Sequence, residues 1–483
     1  MQILVRNIQE ADYACDALIL PLAEGGPPSH ASLKPSVRRL LAKLQKKEFK
    51  GRHNEVLLSP APEDISPEWV LFVGLGKKEA LNAEKVRQTG GKALTYLRDM
   101  GMKKVSLSVK VLEAMGQTPV DFIEGALLGL YQFRKYRTEN HEKTVSSMTV
   151  LTRSSKELAG KIRGMEAIAS AVAFAKDLIN TPANDMTPAD LAKAAYSLKG
   201  RNLSIAVLEK KDARRLGMGA YLAVAQGSHE PPKFIVVEYK GSRKPPITLI
   251  GKSITFDSGG LSLKPSDGME KMKYDMAGGA AVLGTLKAAA ELKLPVHLIG
   301  LLPATENLPG GAATRPGDVV RSITGKTVEI VNTDAEGRLA VADAIGYAKR
   351  FKPRAIIDIA TLTGACAIAF GGEAIAMMGN DRGLLEACKK AGQDTYERVW
   401  EMPLFEEYKE YLKSDIADVK NVGGRSGSLI ASAYFLSEFA GQVPWVHLDI
   451  AGTAWVEKDR PYIPKGASGT GVRLMFNAIL NIV

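Results

Sequence analysis

Short apolar runs alternate with helical patterns over the first third of the chain. Val70–Gly74 and Val105–Val109 are apolar and predict strands. Between them, Ala83–Met100 has the apolar spacing of a helix, closed by Gly101. Further elements are predicted at Met1–Arg6 and Met148–Thr152 (strands) and Pro119–Tyr136 (helix). Alternation of this kind predicts an α/β domain with a largely parallel sheet.

A polar stretch, residues 137–144, precedes a long helical pattern in the middle of the chain. The pattern covers Lys156–Ile179 and runs into Asn180–Asn184, where Asn-Thr-Pro is a stop signal. We interpret this helix as the connector between two domains. The predicted organisation is an N-terminal α/β domain at 1–150, a connecting helix at 151–180 and a second domain at 181–483.

The second part of the chain alternates again, with strands that are short apolar runs. Such runs predict a sheet covered by helices on both faces. The predicted strands are Leu203–Val207, Lys233–Tyr239, Ile247–Gly251, Val296–Pro303, Ala355–Ala360 and Val446–Ile450. The predicted helices are Pro188–Leu198, Ala277–Leu292, Leu339–Arg350 and Ser428–Ala440. Ligands bind beyond the carboxyl ends of strands in these sheets, and the polar clusters of this chain fall there.

Composition supports an ordinary globular protein. The chain has 483 residues, 45% hydrophobic and 24% charged, and this length makes two domains the default. No apolar stretch is long enough to predict a transmembrane helix, and the start of the chain lacks the pattern of a secretory signal. The three cysteines form no CxxC pair, which argues against disulfides and a cysteine-rich zinc site. We therefore expect a cytoplasmic protein.

The net charge of +11 at pH 7 raises the question of nucleic-acid binding. The basic residues are spread along the chain, and no common nucleic-acid-binding module is apparent. A solvated surface of mixed charge is the favoured interpretation, so a nucleic-acid partner is not indicated.

The first polar cluster follows the predicted strand Ile247–Gly251. Gly251-Lys252-Ser253 is not a phosphate-binding loop, because that motif needs a glycine where this chain has Pro246. Lys252, Asp257 and Lys264 instead stand in a segment that is otherwise apolar or rich in glycine. Asp275 comes next, directly before a helix of small apolar residues. It is either the N-cap of that helix or part of a site.

The second cluster follows a strand-like run at residues 328–331. Asp334 and Glu336 are two positions apart, so an extended backbone would place both on one face. Small neighbours at Ala335 and Gly337 allow close approach. The alternative is structural: Asp334 caps the next helix and Glu336 pairs with Arg338.

Together the clusters offer four carboxylates and three cations. The carboxylates repel one another unless a cation neutralises them, and two divalent metals supply the matching positive charge. The six histidines are scattered and no HExxH motif occurs, so a histidine-based site is not predicted. His447 is interpreted as a satisfied core histidine. A two-metal hydrolytic site is therefore the predicted chemistry.

The segment Asn332–Leu339, NTDAEGRL, resembles the signature octapeptide of the leucine (cytosol) aminopeptidase family. Similar matches extend over roughly residues 170–483, and they are Asp177–Asn184, Thr255–Gly260, Asp358–Ala365 and His447–Trp455. The resemblance implies a larger catalytic α/β domain with a mixed central sheet covered by helices. The first domain is similar only in pattern to the family's smaller N-terminal, macro-like α/β domain.

The resemblance also implies a set of metal ligands. Lys252, Asp257, Asp275 and Glu336 match the ligands of a tighter metal, and Asp257, Asp334 and Glu336 those of a more exchangeable one. Two divalent ions per subunit, Mn²⁺ or Zn²⁺, are expected. Lysine would bind as the neutral amine, with its pKa depressed by the metal.

The remaining roles come from the same resemblance. Lys264 and Arg338 match the two catalytic positions: Lys264 stabilises the oxyanion formed by attack of a bridging hydroxide, and Arg338 holds a bicarbonate that serves as general base. Met272, Thr361 and Gly364 match positions lining the pocket for the first side chain, which suggests a preference for leucine-like residues. Ser253 stands where the family has glycine, which puts fine specificity in doubt.

The implied activity is removal of N-terminal residues from peptides with a free amine, by a homohexamer. Two alternatives stay open. One is an added DNA-binding or transcription-regulatory role, which would appear as salt-dependent binding of duplex DNA. The other is a carboxypeptidase or another two-metal hydrolase, which would cleave substrates with a blocked N-terminus.

Overall fold

A computed structural model describes residues 1–25, 34–139, 143–152, 155–200 and 202–482. Residues 140–142 of the predicted polar stretch lie outside this description. The contacts divide the chain into two compact units: unit 1 comprises Met1–Ala169 and Lys458–Lys465, and unit 2 comprises Ser170–Glu457 and Gly466–Val483. The division falls inside one long helix, and the predicted domain boundaries at residues 150 and 180 stay a prediction.

Unit 1 is a sheet with helices on both faces. Its strands are β1 (Gln2–Arg6), β2 (Ala17–Ala23), β3 (Val56–Pro60), β4 (Trp69–Gly76), β5 (Lys104–Ser108) and β6 (Ser147–Leu151), in the order β1-β6-β5-β2-β4-β3. Its helices are α1 (Pro35–Lys47), α2 (Ala83–Asp99), α3 (Lys110–Ala114), α4 (Pro119–Gly129) and the first part of α5 (Ser155–Asn180). Every pair is parallel except β3–β4, as expected for strands joined by helices.

The core of unit 1 forms where apolar strand residues meet the helices. Val70–Val73 of β4 are buried on both sides of the sheet, which explains their uninterrupted apolar sequence. The predicted helix at Pro119–Tyr136 is too long, because α4 ends at Gly129. Glycine has a low helix propensity, which favours an end of the helix at this position.

Unit 2 contains a larger, mixed sheet. Its helices are α6 (Pro188–Ser197), α7 (Lys210–Arg215), α8 (Gly219–Val224), α9 (Ala277–Glu291), α10 (Gly337–Ala348), α11 (Gly364–Phe370), α12 (Arg382–Thr395), α13 (Ser428–Ala440) and α14 (Val472–Ile482). Its strands are β7 (Leu203–Leu208), β8 (Lys233–Lys240), β9 (Ile247–Gly251), β10 (Ser253–Asp257), β11 (His297–Asn307), β12 (Asp318–Arg321), β13 (Thr327–Ile330), β14 (Ala355–Ala360), β15 (Ile375–Gly379), β16 (Val399–Glu401), β17 (Val419–Lys420), β18 (Trp445–Asp449), β19 (Trp455–Val456) and β20 (Gly466–Ala467).

The main sheet of unit 2 has the order β16-β15-β18-β14-β9-β11-β8-β7, and β10 pairs with the end of β11. The central strands β18, β14, β9 and β11 are parallel, so their carboxyl ends share one edge. The predicted mixed sheet covered by helices is confirmed. Within the described residues, no helix is both long and apolar enough to cross a membrane.

Asp343 is a buried carboxylate that joins α10 to two other segments of unit 2. Its Oδ2 accepts a hydrogen bond from the backbone N–H of Tyr221 and its Oδ1 from that of Ile323, both at 2.8 Å. Asp343→Ala would leave both donors without this acceptor, so we expect the free energy of unfolding to fall by about 3 kcal/mol. Urea unfolding of the two proteins measures this loss, and the exposed Asp415 provides the control variant Asp415→Ala.

The same residue predicts a pH dependence. Burial raises the pKa of Asp343 from 3.8 to about 7. The contribution of Asp343 to stability is therefore complete below the unfolded pKa and is lost as the pH rises through the folded one. We expect the stability gap between wild type and Asp343→Ala to narrow as the pH rises from about 5 to about 8. A gap that widens over this range would contradict the assignment.

Candidate metal centre

Two loops beyond the strand ends carry the candidate site. The first follows β10: Asp257 is the last residue of that strand, Lys264 lies in the loop, and Asp275 lies in the 3₁₀ helix Met269–Met276 that leads into α9. The second connects β13 to α10 and carries Asp334 and Glu336. Residues about sixty to eighty positions apart thus meet, although β10 and β13 belong to different sheets.

Lys252 lies at the centre of the buried side of the site. Its Nζ is 2.8 Å from Asp275 Oδ2 and 2.8 Å from Glu336 Oε1, and it donates to the carbonyl oxygen of Thr361 at 3.0 Å. Gly337 is necessary for this arrangement, since a Cβ at that position would lie 2.3 Å from Lys252 Cε. The small residue at position 337 is therefore explained by the lack of space for a Cβ beside Lys252.

Lys264 lies on the more open side. Its Nζ donates to Asp257 Oδ2 at 2.6 Å and also pairs with Asp334. Carboxylate oxygens of Asp257, Asp334 and Glu336 all lie within 4.8 Å of one another. We call Lys252, Asp257, Lys264, Asp275, Asp334 and Glu336 the carboxylate cluster. The structure thus brings together all five predicted ligands and one of the two predicted catalytic residues.

The expectation of extended backbone at Asp334 and Glu336 is wrong. Residues 333–334 form a turn, in which the Asn332 side chain accepts a hydrogen bond from the backbone N–H of Asp334 at 2.8 Å. Glu336 already has helical backbone angles and is the N-cap of α10. The asparagine side chain mimics a backbone turn and so favours a turn over extended backbone here. The two carboxylates converge through this turn and not through strand alternation.

The structural alternatives to a metal site are also wrong for these residues. The N-cap of α9 is Met276, not Asp275, and α10 has no side-chain cap hydrogen bond from Asp334 or Glu336. Among the described residues, Arg338 donates to the carbonyl of Asn421 at 2.6 Å and makes no ion pair with Glu336. The carboxylates therefore pair with the two lysines, and they neither cap these helices nor pair with Arg338.

His447 lies outside the carboxylate cluster. It is fully buried on β18, with Nδ1 2.5 Å from Asp358 Oδ1, as expected for a core histidine. Its Nε2 has no hydrogen-bond partner among the described residues, so the histidine is only half satisfied.

The electrostatics of the cluster favour an added positive charge. Burial raises the pKa of Asp275, and burial together with Asp257 raises that of Glu336. Burial lowers the pKa of Lys252, but the surrounding carboxylates raise it more, so this lysine is held charged in the absence of metal. The four carboxylates outnumber the two lysines by 4 − 2 = 2 charges. Excess negative charge in a buried place is costly.

The donor set fits a divalent cation. Glu336 is 2% exposed, and its Oε2 has no hydrogen-bond partner in the described part of the chain. An unsatisfied buried carboxylate oxygen among three other carboxylates is a place where a hard cation gains oxygen ligands. Lys252 Nζ contacts Asp275 and Glu336, which are its predicted companions around the tighter metal. It would have to lose its proton to join them as a ligand.

The other predicted residues surround the cluster. Arg338 is buried on the first turn of α10; burial lowers its pKa to about 10, and its Nε has no hydrogen-bond partner among the described residues. Thr361 Oγ1 donates to Asp275 Oδ1 at 2.6 Å. Met272 shares the 3₁₀ helix of Asp275, and Gly364 begins α11 beside open space. Thr361 is thus the predicted pocket residue that is joined directly to a proposed ligand.

Two asparagines that the sequence analysis did not single out support these loops. Asn421 Oδ1 accepts hydrogen bonds from the backbone N–H groups of Val331 and Asn332 at 2.9 and 3.3 Å, and Asn421 Nδ2 donates to the carbonyl of Asn332 at 2.7 Å. Asn307 donates to Asp257 Oδ1 at 2.8 Å. The one signal in the sequence is a polar residue after an apolar strand, which does not distinguish these residues from ordinary loop asparagines.

Both parts of the chain match known family descriptions. Residues 173–476 match the cytosol aminopeptidase family, catalytic domain, and residues 19–140 match the cytosol aminopeptidase family, N-terminal domain. A probable cytosol aminopeptidase of Geotalea uraniireducens is 50% identical over 440 residues, 89% of each chain. One from Geobacter sulfurreducens is 45% identical over 488 residues, 98% of each chain.

A solved structure is also similar over the whole length. The bottromycin maturation enzyme BotP in complex with Mn has a TM-score of 0.87 and 32% sequence identity. The match covers 97% of this chain and 100% of that one.

Proposed function

The chain belongs to the cytosol aminopeptidase family, and we propose that it is a metal-dependent aminopeptidase that removes N-terminal residues, preferably leucine and other apolar ones. The observation that carries the metal-dependent part is the convergence of the buried Asp257 and Glu336 with the more exposed Asp334, with one oxygen of Glu336 left without a donor among the described residues. Such a site has little purpose in a protein that binds no cation, because its carboxylates repel one another.

The proposed ligands fall into two overlapping groups. Lys252, Asp257, Asp275 and Glu336 would hold one ion, and Asp257, Asp334 and Glu336 the other. Two divalent ions held by these residues would activate a water and polarise a carbonyl. The related BotP, solved with Mn, supports Mn²⁺ as the ion to test first, and Zn²⁺ is the alternative.

The chain's own residues supply the remaining chemistry. The Lys264 ammonium lies beside Asp257 and Asp334 on the more open side of the cluster, where it can donate to an oxyanion formed on the scissile carbonyl. The Nε of Arg338 is buried and has no hydrogen-bond partner in the described part of the chain, so Arg338 can hold an anion such as bicarbonate, the proposed general base. Lys264 thus belongs to the carboxylate cluster, whereas Arg338 lies outside it on the first turn of α10.

The preference for apolar first residues rests on Met272, Thr361 and Gly364. Thr361 is fixed by its hydrogen bond to Asp275, so it keeps a constant position beside the ligands. A Cβ at Gly364 would meet no atom of the described residues within 4 Å, which leaves room for a substrate side chain. An apolar pocket discriminates by contact area, about 1–3 kcal/mol per methylene group. Homohexameric assembly and a cytoplasmic location rest on the resemblance alone and stay predictions.

The proposal predicts a metal-dependent activity that requires a free amine. After chelator treatment and dialysis, we expect hydrolysis of leucine p-nitroanilide to fall at least about 100-fold and to return when Mn²⁺ is added. N-acetyl-leucine p-nitroanilide should not be hydrolysed, because its blocked amine cannot bind the site. Release of p-nitroaniline measures both rates.

Two outcomes of this experiment would contradict the proposal. Full activity in chelated protein whose metal content is shown to be negligible would exclude the metal-dependent mechanism. Comparable rates on the free and blocked substrates would favour another class of two-metal hydrolase.

The preference for apolar first residues is tested by comparing the hydrolysis rates of phenylalanine, leucine and glutamate p-nitroanilides. A faster rate on the glutamate substrate would contradict the apolar pocket.

A further inference from the structure

Asn307 is a buried residue that contacts both loops of the carboxylate cluster without belonging to it. It ends β11 and is the parallel-strand partner of Asp257, which ends β10. Its Nδ2 donates to Asp257 Oδ1 at 2.8 Å and to the backbone carbonyl of Thr333 at 3.0 Å. One amide group therefore connects the loop after β10 to the turn before α10.

The contact with Asp257 sets the orientation of that carboxylate. Oδ1 accepts two neutral donors, Asn307 Nδ2 and the backbone N–H of Gly259 at 2.9 Å. Oδ2 lies on the other side, where Lys264 Nζ reaches it at 2.6 Å. Two donors on one oxygen fix the plane of the carboxylate, and donors of this kind tune the ligands of metal sites.

The contact with Thr333 sets the spacing between the two groups of ligands. Thr333 directly precedes Asp334, and its Oγ1 donates to the carbonyl of Gly259 at 2.7 Å and accepts from the N–H of Ser262 at 2.8 Å. Both loops are thus joined to each other at their bases. Asn307 adds a connection to β11, which pairs with strands on both sides and is nearly all buried. Rigid support of this kind is what a precise site requires.

We propose that Asn307 is a positioning residue for the divalent-metal site, because its amide holds the Asp257 carboxylate and the Asp334–Glu336 turn in register for a shared cation. This inference rests on the proposed function, since it requires that the carboxylate cluster binds metal. The Asn307 amide nitrogen donates to Asp257 and to Thr333, and a donor of this kind is not a metal ligand. Its effect on the cation is exerted through Asp257 and the backbone of Thr333.

The test compares Asn307→Ser with wild type in the full-length protein. Serine removes both amide N–H donors and keeps the backbone carbonyl that accepts from Ser258. After chelator treatment, titration calorimetry with Mn²⁺ gives the Kd of each protein, and we expect a Kd about 10 to 100 times higher in the variant. The rise in Tm caused by Mn²⁺ should shrink in parallel, because it depends on the same affinity.

The matched control is Asn380→Ser. The side chain of Asn380 makes three hydrogen bonds, all to backbone groups, of Gly441, Val443 and Trp445, and it follows β15 at the opposite edge of the sheet. Its loss should lower the Tm of the metal-free protein and leave the Mn²⁺ affinity unchanged. A merely structural role of Asn307 would give this same result.

Asn307→Asp provides a second variant if the serine variant does not fold. It keeps the size of the side chain but places an acceptor against Asp257 Oδ1 and the carbonyl of Thr333. If orientation dominates, Mn²⁺ binds more weakly in spite of the added negative charge. Equal or tighter binding in a folded Asn307 variant would overturn the inference. A wild-type protein that binds no Mn²⁺ would instead overturn the proposed function, so the two failures are distinguishable.

Discussion

Glu336→Gln is expected to lose high-affinity metal binding and to hydrolyse leucine p-nitroanilide at least about 100 times more slowly than wild type. Glu336 and Asp257 are the two buried residues that belong to both proposed groups of ligands. Glu336 Oε1 pairs with Lys252 at 2.8 Å and Glu336 Oε2 has no hydrogen-bond partner among the described residues. Glutamine has the same size but no charge, so the loss would report the carboxylate and not the packing. Elemental analysis and Mn²⁺ titration measure the binding directly.

The thermal stability of metal-free Glu336→Gln provides an independent test of this prediction. Burial and Asp257 raise the pKa of Glu336, so its ionised form opposes folding once the pH exceeds the unfolded pKa. Glutamine removes this cost, while Lys252 keeps its ion pair with Asp275. We therefore expect the Tm of metal-free Glu336→Gln to be no lower than that of wild type at neutral pH. The increase in Tm on adding Mn²⁺ should disappear.

Glu397→Gln is the matched control for this change. Glu397 is another largely buried glutamate of unit 2, and it accepts hydrogen bonds from the backbone N–H groups of Gly471 and Leu474 at the start of α14. Its replacement should lower the Tm and leave Mn²⁺ binding intact. If Glu336→Gln kept the wild-type metal content and rate, Glu336 would not be a ligand, and the buried cluster would need another explanation.

Much of the fold is predictable from the pattern of apolar residues alone. Long periodic segments such as α2, α5 and α13 lie within one residue of the predicted bounds, because a helix of several turns repeats its pattern enough times to be recognised. Short elements are harder. The strand β15 is not among the predicted strands, although other five-residue apolar runs predict strands correctly, and a run this short does not identify the neighbour with which it pairs.

The site shows a similar division. Asp257, Asp275, Asp334 and Glu336 are charged residues in apolar or glycine-rich surroundings, so the sequence by itself marks them as candidates. Asn307 and Asn421 cannot be marked in this way. Their importance lies in the backbone groups that they meet, and those contacts exist only after strands from distant parts of the chain have assembled. The spacing of Asp334 and Glu336 does not reveal the turn between them, because the geometry of the turn depends on the hydrogen bond to the Asn332 side chain.

Lys264→Ala is expected to lower kcat by a factor of about 100 to 1,000, the usual effect of losing one donor to a developing oxyanion. Lys264 is the predicted catalytic residue that lies within the carboxylate cluster, 2.6 Å from Asp257 Oδ2. Its removal takes one positive charge from a cluster that already has excess negative charge. Mn²⁺ should therefore bind at least as tightly in the variant as in wild type. Initial rates at saturating leucine p-nitroanilide, with measured metal content, separate the two effects.

The affinity for Mn²⁺ is expected to fall in Glu336→Gln but not in Lys264→Ala, and this difference distinguishes a metal ligand from a catalytic cation. Lys271→Ala is the control, because Lys271 lies seven residues further along and pairs with Glu457 at the surface, where such a pair contributes little. Weaker Mn²⁺ binding in Lys264→Ala would place its amine among the ligands, and an unchanged kcat would remove it from the reaction. A lower kcat with retained metal would show that the ammonium is needed when charge develops on the substrate. A group that stabilised bound substrate and transition state equally would instead change KM and leave kcat unaltered.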